Sequence, residues 1–415
     1  MPLYDPTRHV SLPARPWDPA AVRAWLRRFA ADALRTWTPQ GWPLHPHDAI
    51  EGERLPPLRT LYFGEAGVWI ALGRLAAAGD CALPTTLAET YARILEAYRA
   101  APDTGTATAS WLLGESGVRT LAALTRPTPA NADALAALIE GNRENPTNEA
   151  LWGAPATMNA AWWLHRATRE ARWAALWRAS ADVLWSRWTF DEGAGTWLWE
   201  QVMDGQRLAY LGAGHGWAGN VDALWRGAAL LSEGRRAALL ERTIDGVARL
   251  LEVEGDRANL PPVAGRRGLH LVQWCHGGPG LILALRHAPL PEVTPALLKV
   301  AATIVDAGPL TKGVALCHGS AGSGAALLEL HRRSGDRRWL GHARELAMAA
   351  LTQAEAAFAE HGRWHMSLWT GDAGLAWLLM DCLEGVSRGL PGLDALDWRC
   401  ERGTVAPLDA TTWPS

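Results

Sequence analysis

A short glycine motif recurs seven times along the chain and constrains its fold more than any other feature. The motif is a glycine, two further residues and a second glycine, followed by an apolar run. Its leading glycines are Gly64, Gly114, Gly153, Gly216, Gly277, Gly319 and Gly371. Only the third copy departs, with Ala156 in place of the second glycine. Spacings of 39 to 63 residues leave room for two helices and two loops, so we predict seven helical hairpins.

The two helices of each hairpin differ in character. The segments that follow the glycines are apolar on all sides, which is typical of buried helices. The segments between motifs, such as 87–100, 171–186, 233–251 and 337–360, are rich in Ala, Leu, Arg and Glu and carry more charge. We therefore expect glycine-led helices inside and amphipathic helices outside. The paired glycines are expected to let the inner backbones approach closely.

Seven hairpins of one sense can close into a ring, which predicts an all-α toroid. All inner helices then begin at the same end of the barrel, and the residue before each leading glycine belongs to a circle around one mouth. These residues are Phe63, Leu113, Trp152, His215, His276, His318 and Thr370. Three histidines thus occupy three consecutive positions of the circle.

Two cysteines directly precede two of these histidines. Cys275 and Cys317 are 42 residues apart, too far for a local zinc knuckle, but equivalent repeat positions bring them together. Cysteine and histidine are ligands that zinc prefers, so this arrangement favours a zinc site at the mouth. Two alternatives remain open at this point. The cysteines could be small core residues, or two Cys-His pairs could form a closed, structural four-ligand site.

Composition excludes several functional classes. The 415 residues include 40 basic and 43 acidic side chains, a net charge of −3, which argues against binding to nucleic acid or an anionic membrane. Five scattered cysteines do not make a disulfide framework. No transmembrane segment or signal peptide is recognisable, so we expect a cytoplasmic protein. No loop separates a second domain; we expect one domain over 1–415, with its repeat core at about 55–385.

The chain resembles the lanthionine synthetase C-like family. The resemblance runs through every repeat and is sharpest in YLGAGHGWAG, LVQWCHGGPG and KGVALCHGSAG, which begin at Tyr210, Leu271 and Lys312. It is closer to the free-standing, eukaryote-type members than to dedicated lantibiotic cyclases. The resemblance implies an α/α toroid of seven hairpins with a zinc ion at one mouth.

The resemblance also implies roles for individual residues. It makes Cys275, Cys317 and His318 the zinc ligands, leaves the fourth position open, and does not include His276 among the ligands. The catalytic residues implied are His215, as acid or base, and Glu149, and the substrate-binding residues predicted are Lys312 and Trp274. Thr370 departs from the family pattern, where free-standing relatives usually carry Glu.

The implied reaction is thioether formation. Zinc activates a thiol, from glutathione or a peptide cysteine, for addition to dehydroalanine or dehydrobutyrine in a peptide or protein. An alternative of another class is a non-catalytic adaptor that binds glutathione and zinc through the same fold. A carbohydrate enzyme built on an α/α barrel rests on analogy of fold alone. Purely structural interpretations of these residues also stay open. Glu149 could neutralise the N-terminus of a helix, Trp274 could fill the core, and Lys312 could be a surface charge.

Overall fold

The computed structural model describes residues 2–48, 56–203, 205–266, 268 and 270–396. Within this part of the chain there are fourteen α-helices and six three-residue strands. The glycine-led helices are α2 (Glu65–Ala77), α4 (Glu115–Thr125), α6 (Ala154–Thr168), α8 (Trp217–Arg226), α10 (Gly278–Ala284), α12 (Ser320–Ser334) and α14 (Asp372–Glu384). The other helices are α1 (Pro19–Thr36), α3 (Leu87–Ala100), α5 (Pro129–Asn142), α7 (Ala171–Ser186), α9 (Glu233–Leu250), α11 (Thr294–Ala307) and α13 (Arg337–His361). The predicted all-α class is confirmed.

Every leading glycine caps an inner helix. Each of the seven is the N-cap residue, and the helix begins at the next position. The inner helices are buried on nearly all sides, as α10 shows, where every residue is buried. They therefore form the inner wall of the toroid, and all of them start at the same mouth.

The outer helices have one apolar face and one charged face. The bounds of α3 and α7 agree with the segments expected from the sequence, and a capping box of Thr86 and Glu89 fixes the start of α3. Helix α1, which precedes the first glycine motif, packs against α14 and α2. It therefore supplies the outer helix of the seventh pair, and the contact of α14 with α2 closes the ring.

Three small antiparallel hairpins account for the two longest repeats. The hairpins are β1 (Thr189–Asp191) with β2 (Thr196–Leu198), β3 (Gln201–Met203) with β4 (Gln206–Leu208), and β5 (Glu252–Glu254) with β6 (Arg257–Asn259). The first hairpin turns between Asp191 and Thr196. Strands of three residues are too short to show a two-residue alternation, so they escape detection by pattern.

Main-chain hydrogen bonds link successive motif loops at the mouth. In each of these hydrogen bonds, a backbone N–H of one loop donates to a carbonyl of the next loop around the ring, with a nitrogen-to-oxygen distance of 2.9–3.2 Å. The links are Gly214 to Cys275, Cys275 to Cys317, Cys317 to Trp369, Trp369 to Tyr62 and Tyr62 to Leu112. The Ser110 hydroxyl continues this belt by donating to the carbonyl of Leu151. The belt therefore sets the position of each loop relative to its neighbours.

The second glycine of the motif gives room for the loop beneath the helix. A Cβ on Gly117 would lie 2.0 Å from the carbonyl oxygen of Trp111 and 2.9 Å from Leu61 of the neighbouring repeat. The other second glycines have the same kind of surroundings. The glycines therefore allow a close approach to the loop backbone and to a side chain of the adjacent repeat, and not the predicted approach between inner helix backbones.

We expect Gly117→Ala to destabilise the protein by about 1–3 kcal/mol, because the added methyl group must push a backbone carbonyl aside. Gly341 in α13 is the matched control, since nothing lies within 4 Å of a Cβ added there. Gly341→Ala is expected to stabilise by about 0.5–1 kcal/mol, as alanine favours helix. Urea unfolding of both variants measures the difference, and equal free energies of unfolding would contradict this account of the motif.

A buried ionic network lies at the opposite end of the barrel, where α8 finishes. The guanidinium of Arg226 contacts Asp394 at 2.7 Å and Asp222 at 2.6 Å, and His287 contacts Asp394 at 2.9 Å. Burial opposes ionisation of Asp394, but the positive charges of Arg226 and His287 outweigh it and hold the pKa of Asp394 well below its usual value. The network fixes the segment after α14 against the barrel.

Candidate metal centre and acid-base pair

The structure places the residues before the leading glycines at an opening. Leu113 is buried, while the other six are partly exposed between buried neighbours. The rings of His215 and His276 stack, with centroids 5.5 Å apart and planes within 25° of parallel. The mouth is therefore lined by side chains that reach solvent from a closely packed rim.

Cys275, Cys317 and His318 form a cluster at this mouth. One ligand atom from each residue lies within 4.8 Å of the other two. The belt explains this proximity, because the Cys275 N–H donates to the Cys317 carbonyl at 3.2 Å and holds the two loops in register. Two sulfur atoms and one imidazole nitrogen are the donor set of a zinc site with one open position, so these residues fit zinc.

His276 is not part of this cluster. Its Nδ1 is buried without a hydrogen-bond partner, and its ring packs on His215 and lies 5.9 Å from the ring of Tyr210. Burial lowers the pKa of His276, and its neighbour His215 lowers it further. His276 thus lies beside the cluster, which leaves three candidate ligands from these two Cys-His pairs.

Two polar side chains that the sequence analysis missed contact the cysteine sulfur atoms. The Gln273 Nε2 donates to Sγ of Cys275 at 3.0 Å, and the hydroxyl of Tyr62 forms a hydrogen bond with Cys317. The thiols also hydrogen-bond to each other, which lowers the pKa of Cys275, while burial raises the pKa of Cys317. Gln273 could have been found two residues before Cys275, whereas Tyr62 comes from a distant repeat.

His215 and Glu149 form a pair across the third and fourth repeats. Nδ1 of His215 lies 2.9 Å from Oε2 of Glu149, whose side chain is fully buried. The Glu149 carboxylate also accepts the N–H groups of Leu151 at 3.0 Å and Trp152 at 2.6 Å. It therefore supports its own loop as well as the histidine.

The pair sets the charge of His215. Burial lowers the pKa of this imidazole, but the hydrogen bond and negative charge of Glu149 outweigh burial, so the pKa lies above its usual value. With Nδ1–H donated to the carboxylate, Nε2 is the nitrogen left to exchange a proton with another molecule. The negative charge of Cys275 also raises this pKa, so His215 and the cysteine cluster share one electrostatic environment.

The two predicted substrate residues lie in different surroundings. Lys312 is exposed, and its positive charge partly offsets the burial that raises the pKa of Cys317. Trp274 is 3% exposed and packs against Trp369, with ring centroids 4.4 Å apart, so it contacts the core beneath the mouth. Thr370 forms a hydrogen bond with Ser367 at 2.6 Å. Substrate contact by Lys312 or Trp274 stays a prediction.

Comparison with known proteins identifies a family and several similar proteins. The family model for lanthionine synthetase C-like protein matches residues 58–394. Glutathione S-transferase LANCL1 from Danio rerio is 30% identical over 190 residues, 44% of this chain and 45% of that protein. The match therefore spans less than half of the relative's length. The solved structure of nisin cyclase aligns with a TM-score of 0.62 at 15% identity, covering 91% of this chain and 99% of that one, and so supports the toroid fold.

Within the described part of the chain, no helix combines the length and apolar character needed to cross a bilayer. The predicted single domain over 1–415 stays a prediction, because its C-terminal extension after 396 falls outside the described residues.

Proposed function

The chain belongs to the lanthionine synthetase C-like family, and we propose that it is a zinc enzyme that adds a thiol to a dehydroamino acid. The observation that carries this proposal is one shared mouth, where a Cys275, Cys317 and His318 cluster lies near the His215–Glu149 pair. A metal-activated nucleophile and a proton donor are the two components that such an addition needs.

The chain's residues have distinct tasks in this reaction. Cys275, Cys317 and His318 would hold zinc, which would supply a Lewis acid that lowers the pKa of a substrate thiol. The thiol releases its proton to solvent, and its sulfur forms a bond to the β-carbon of dehydroalanine or dehydrobutyrine. The π electrons of the carbon-carbon double bond move onto the α-carbon and the adjoining carbonyl oxygen as an enolate. We assign His215 as the donor of the proton that the α-carbon then takes up.

Ionisation of the thiol is only part of the catalysis. A cysteine thiol with a pKa of about 8.5 is roughly 3% ionised at pH 7, so full ionisation gains at most about 30-fold, or ~2 kcal/mol. Positioning of the two reactants and stabilisation of the enolate must therefore contribute more. Gln273 and Tyr62, which contact the cysteine sulfurs, support this by fixing where the ligands lie.

The thiol substrate we favour is glutathione. The Danio rerio relative is named a glutathione S-transferase, and the exposed ammonium of Lys312 is suited to a carboxylate of that tripeptide. The electrophile is a dehydroamino acid in a peptide or protein, and a peptide cysteine as the thiol would make the enzyme a cyclase. A cytoplasmic location accords with this proposal, since glutathione and reduced cysteines coexist there.

The proposal is tested with zinc-loaded protein, glutathione and a peptide that contains dehydroalanine. Mass spectrometry of the peptide should show a gain equal to one glutathione, at a rate well above the uncatalysed addition. A second peptide, with a cysteine and a dehydroalanine in one chain, distinguishes a cyclase, because cyclisation leaves the mass unchanged and removes the free thiol. Binding of glutathione without turnover of either peptide would favour the non-catalytic adaptor.

The His215–Glu149 pair predicts a specific pH dependence. Because the negative charge of Glu149 raises the pKa of His215, the acid form of His215 persists to higher pH and activity is lost as pH rises through that pKa. Glu149→Gln removes the charge, so the alkaline limb of kcat/KM should move to lower pH. His215→Ala should lower the rate about a hundredfold and remove the limb.

A matched control for this prediction is Glu200→Gln, which breaks an exposed pair with Arg207. Its pH profile is expected to equal that of the wild type. An alkaline limb that stays in place in Glu149→Gln would show that His215 is not the group that titrates, and the assignment of the proton donor would then be wrong.

A further inference from the structure

A second group of histidines lies outside the mouth cluster. His45, His47 and His365 each offer a ring nitrogen, and these three atoms lie within 4.8 Å of one another. The rings of His45 and His365 stack at 4.7 Å, and the ring of His47 lies 4.7 Å from that of His45. The ring of His361 is 4.9 Å from both His45 and His47. Four imidazoles thus converge on one place.

Two distant parts of the chain supply these rings. His45 and His47 belong to the segment after α1, where the turn Pro46–Asp48 fixes the local backbone. His361 ends α13, and the backbone N–H of His365 donates to Asp372, the first residue of α14, at 2.7 Å. The group therefore joins the segment before the first repeat to the segment that leads into the seventh.

Asp48 gives the cluster a feature typical of metal centres. Nε2 of His365 lies 2.6 Å from Oδ2 of Asp48, so that nitrogen carries the proton and donates it to the carboxylate. The other ring nitrogen then has the lone pair that a metal requires, which is the arrangement in which a carboxylate orients a histidine ligand. Nδ1 of His45 accepts the N–H of His47 at 3.2 Å, a long hydrogen bond that binding through this nitrogen would replace.

Access and charge also suit a cation. His45 and His365 are buried, but His47 is exposed, so an ion can enter from solvent. Crowded imidazoles repel each other when protonated, whereas one divalent ion satisfies several neutral rings at once. Zinc, copper and nickel all accept imidazole ligands, and three histidines with an open position are a known zinc arrangement.

We propose that His45, His47 and His365 form a second metal site that binds a divalent transition ion of the zinc class, with Asp48 orienting His365. The ion would cross-link residues 320 positions apart in the sequence, next to the junction where the ring closes. A pocket beside the site is lined by His45, Asp48 and His365 and also reaches Phe63 of the mouth. The site is independent of the proposed thiol chemistry.

The proposal is tested by counting the cobalt(II) ions bound per chain, because cobalt substitutes for zinc. A cobalt site with thiolate ligands also has a charge-transfer absorption band. Full-length protein without a polyhistidine tag is stripped with a chelator, reloaded with cobalt, dialysed and measured by mass spectrometry of the metal. Wild type should bind two cobalt ions per chain. His47→Ala, an exposed position chosen so that the fold persists, should bind one and keep the full charge-transfer band.

Two further variants complete the experiment. Cys317→Ala should also bind one cobalt ion but lose the band, which separates the two sites. His342→Ala is the control, since this histidine of α13 pairs with Glu345 outside the cluster and should leave two ions bound. A wild type that binds only the thiolate-type ion, or a His47→Ala protein that retains both ions, would overturn the proposal. Neither result depends on whether the protein adds thiols.

Discussion

Replacing Cys317 with alanine should abolish the proposed thiol addition, with an expected fall in kcat/KM of at least about a thousandfold, or ~4 kcal/mol. The substitution removes one of three candidate zinc ligands. Without the metal, the protein would no longer promote ionisation of the thiol or hold the thiol beside the double bond. Cys317 is fully buried, and alanine leaves only a small cavity, so the fold should persist. The measurement pairs the rate of glutathione addition with zinc content.

Two controls make this result specific. Cys81 is a half-buried free cysteine whose thiol contacts the carbonyl of Leu72 far from the mouth, and Cys81→Ala should keep both zinc and activity. His276→Ala should keep the mouth zinc, because His276 stacks on His215 outside the ligand cluster. Loss of the mouth zinc in His276→Ala would indicate a closed four-ligand site, and the catalytic proposal would then fail.

Replacing Arg226 with methionine should lower the free energy of unfolding by about 3–5 kcal/mol, the largest stability effect we expect from one substitution. Methionine fills much of the volume, but the partly buried carboxylate of Asp222 loses its cation, and the buried carboxylate of Asp394 keeps only His287 as a partner. The variant also loses the hydrogen bond from Arg226 to the carbonyl of Leu393, at 2.6 Å. Urea unfolding measures the effect as a lower midpoint at an unchanged slope.

The matched control is Arg235→Met, which breaks a surface pair with Asp182 between side chains 37% and 58% exposed. Solvent screens such pairs, so a change of about 0–1 kcal/mol is expected. The triple variant that replaces Arg226, Asp222 and Asp394 with apolar residues should recover much of the lost stability, since no unpaired charge is then buried. Equal effects in Arg226→Met and Arg235→Met would contradict the role given to the network.

The repeat architecture was predictable because its signal is local. A leading glycine, a second glycine three residues later and an apolar run together specify where an inner helix begins, and Gly277 shows why glycine is needed there. Its φ is 120°, and a Cβ would lie 1.9 Å from the carbonyl oxygen of Leu271. Seven copies of one local constraint therefore predict the ring and the circle of residues at its mouth.

Features that depend on distant parts of the chain could not be predicted. Helix α1 has no glycine motif, so nothing in its sequence shows that it pairs with α14 at the other end of the repeats. Tyr62 reaches Cys317 only because the first and sixth repeats are brought together by the closed ring. The histidine group combines residues from before the first repeat and before the seventh, and no spacing in the sequence relates them.

The structure shows how the third repeat accommodates a proline and how it is joined to the fourth repeat. Pro155 lies in the first turn of α6, where its missing N–H has no helical partner to lose. Asn148 adopts a left-handed backbone with φ of 50°, and its carbonyl accepts the Nδ2 of Asn220 from the fourth repeat at 2.9 Å. Side chains thus join these two repeats, at the junction that also holds the His215–Glu149 pair.

The belt of loop hydrogen bonds has a consequence for biosynthesis. Its closing bond, from Trp369 to Tyr62, joins residues about 300 positions apart, so the circle is incomplete until nearly all repeats have left the ribosome. The hydrogen bond from the Cys317 N–H to the Trp369 carbonyl likewise cannot form until Trp369 has been synthesised. A nascent chain that already contains Cys275, Cys317 and His318 therefore lacks the contact that positions Cys317, and the cluster of these three residues is completed only late in synthesis.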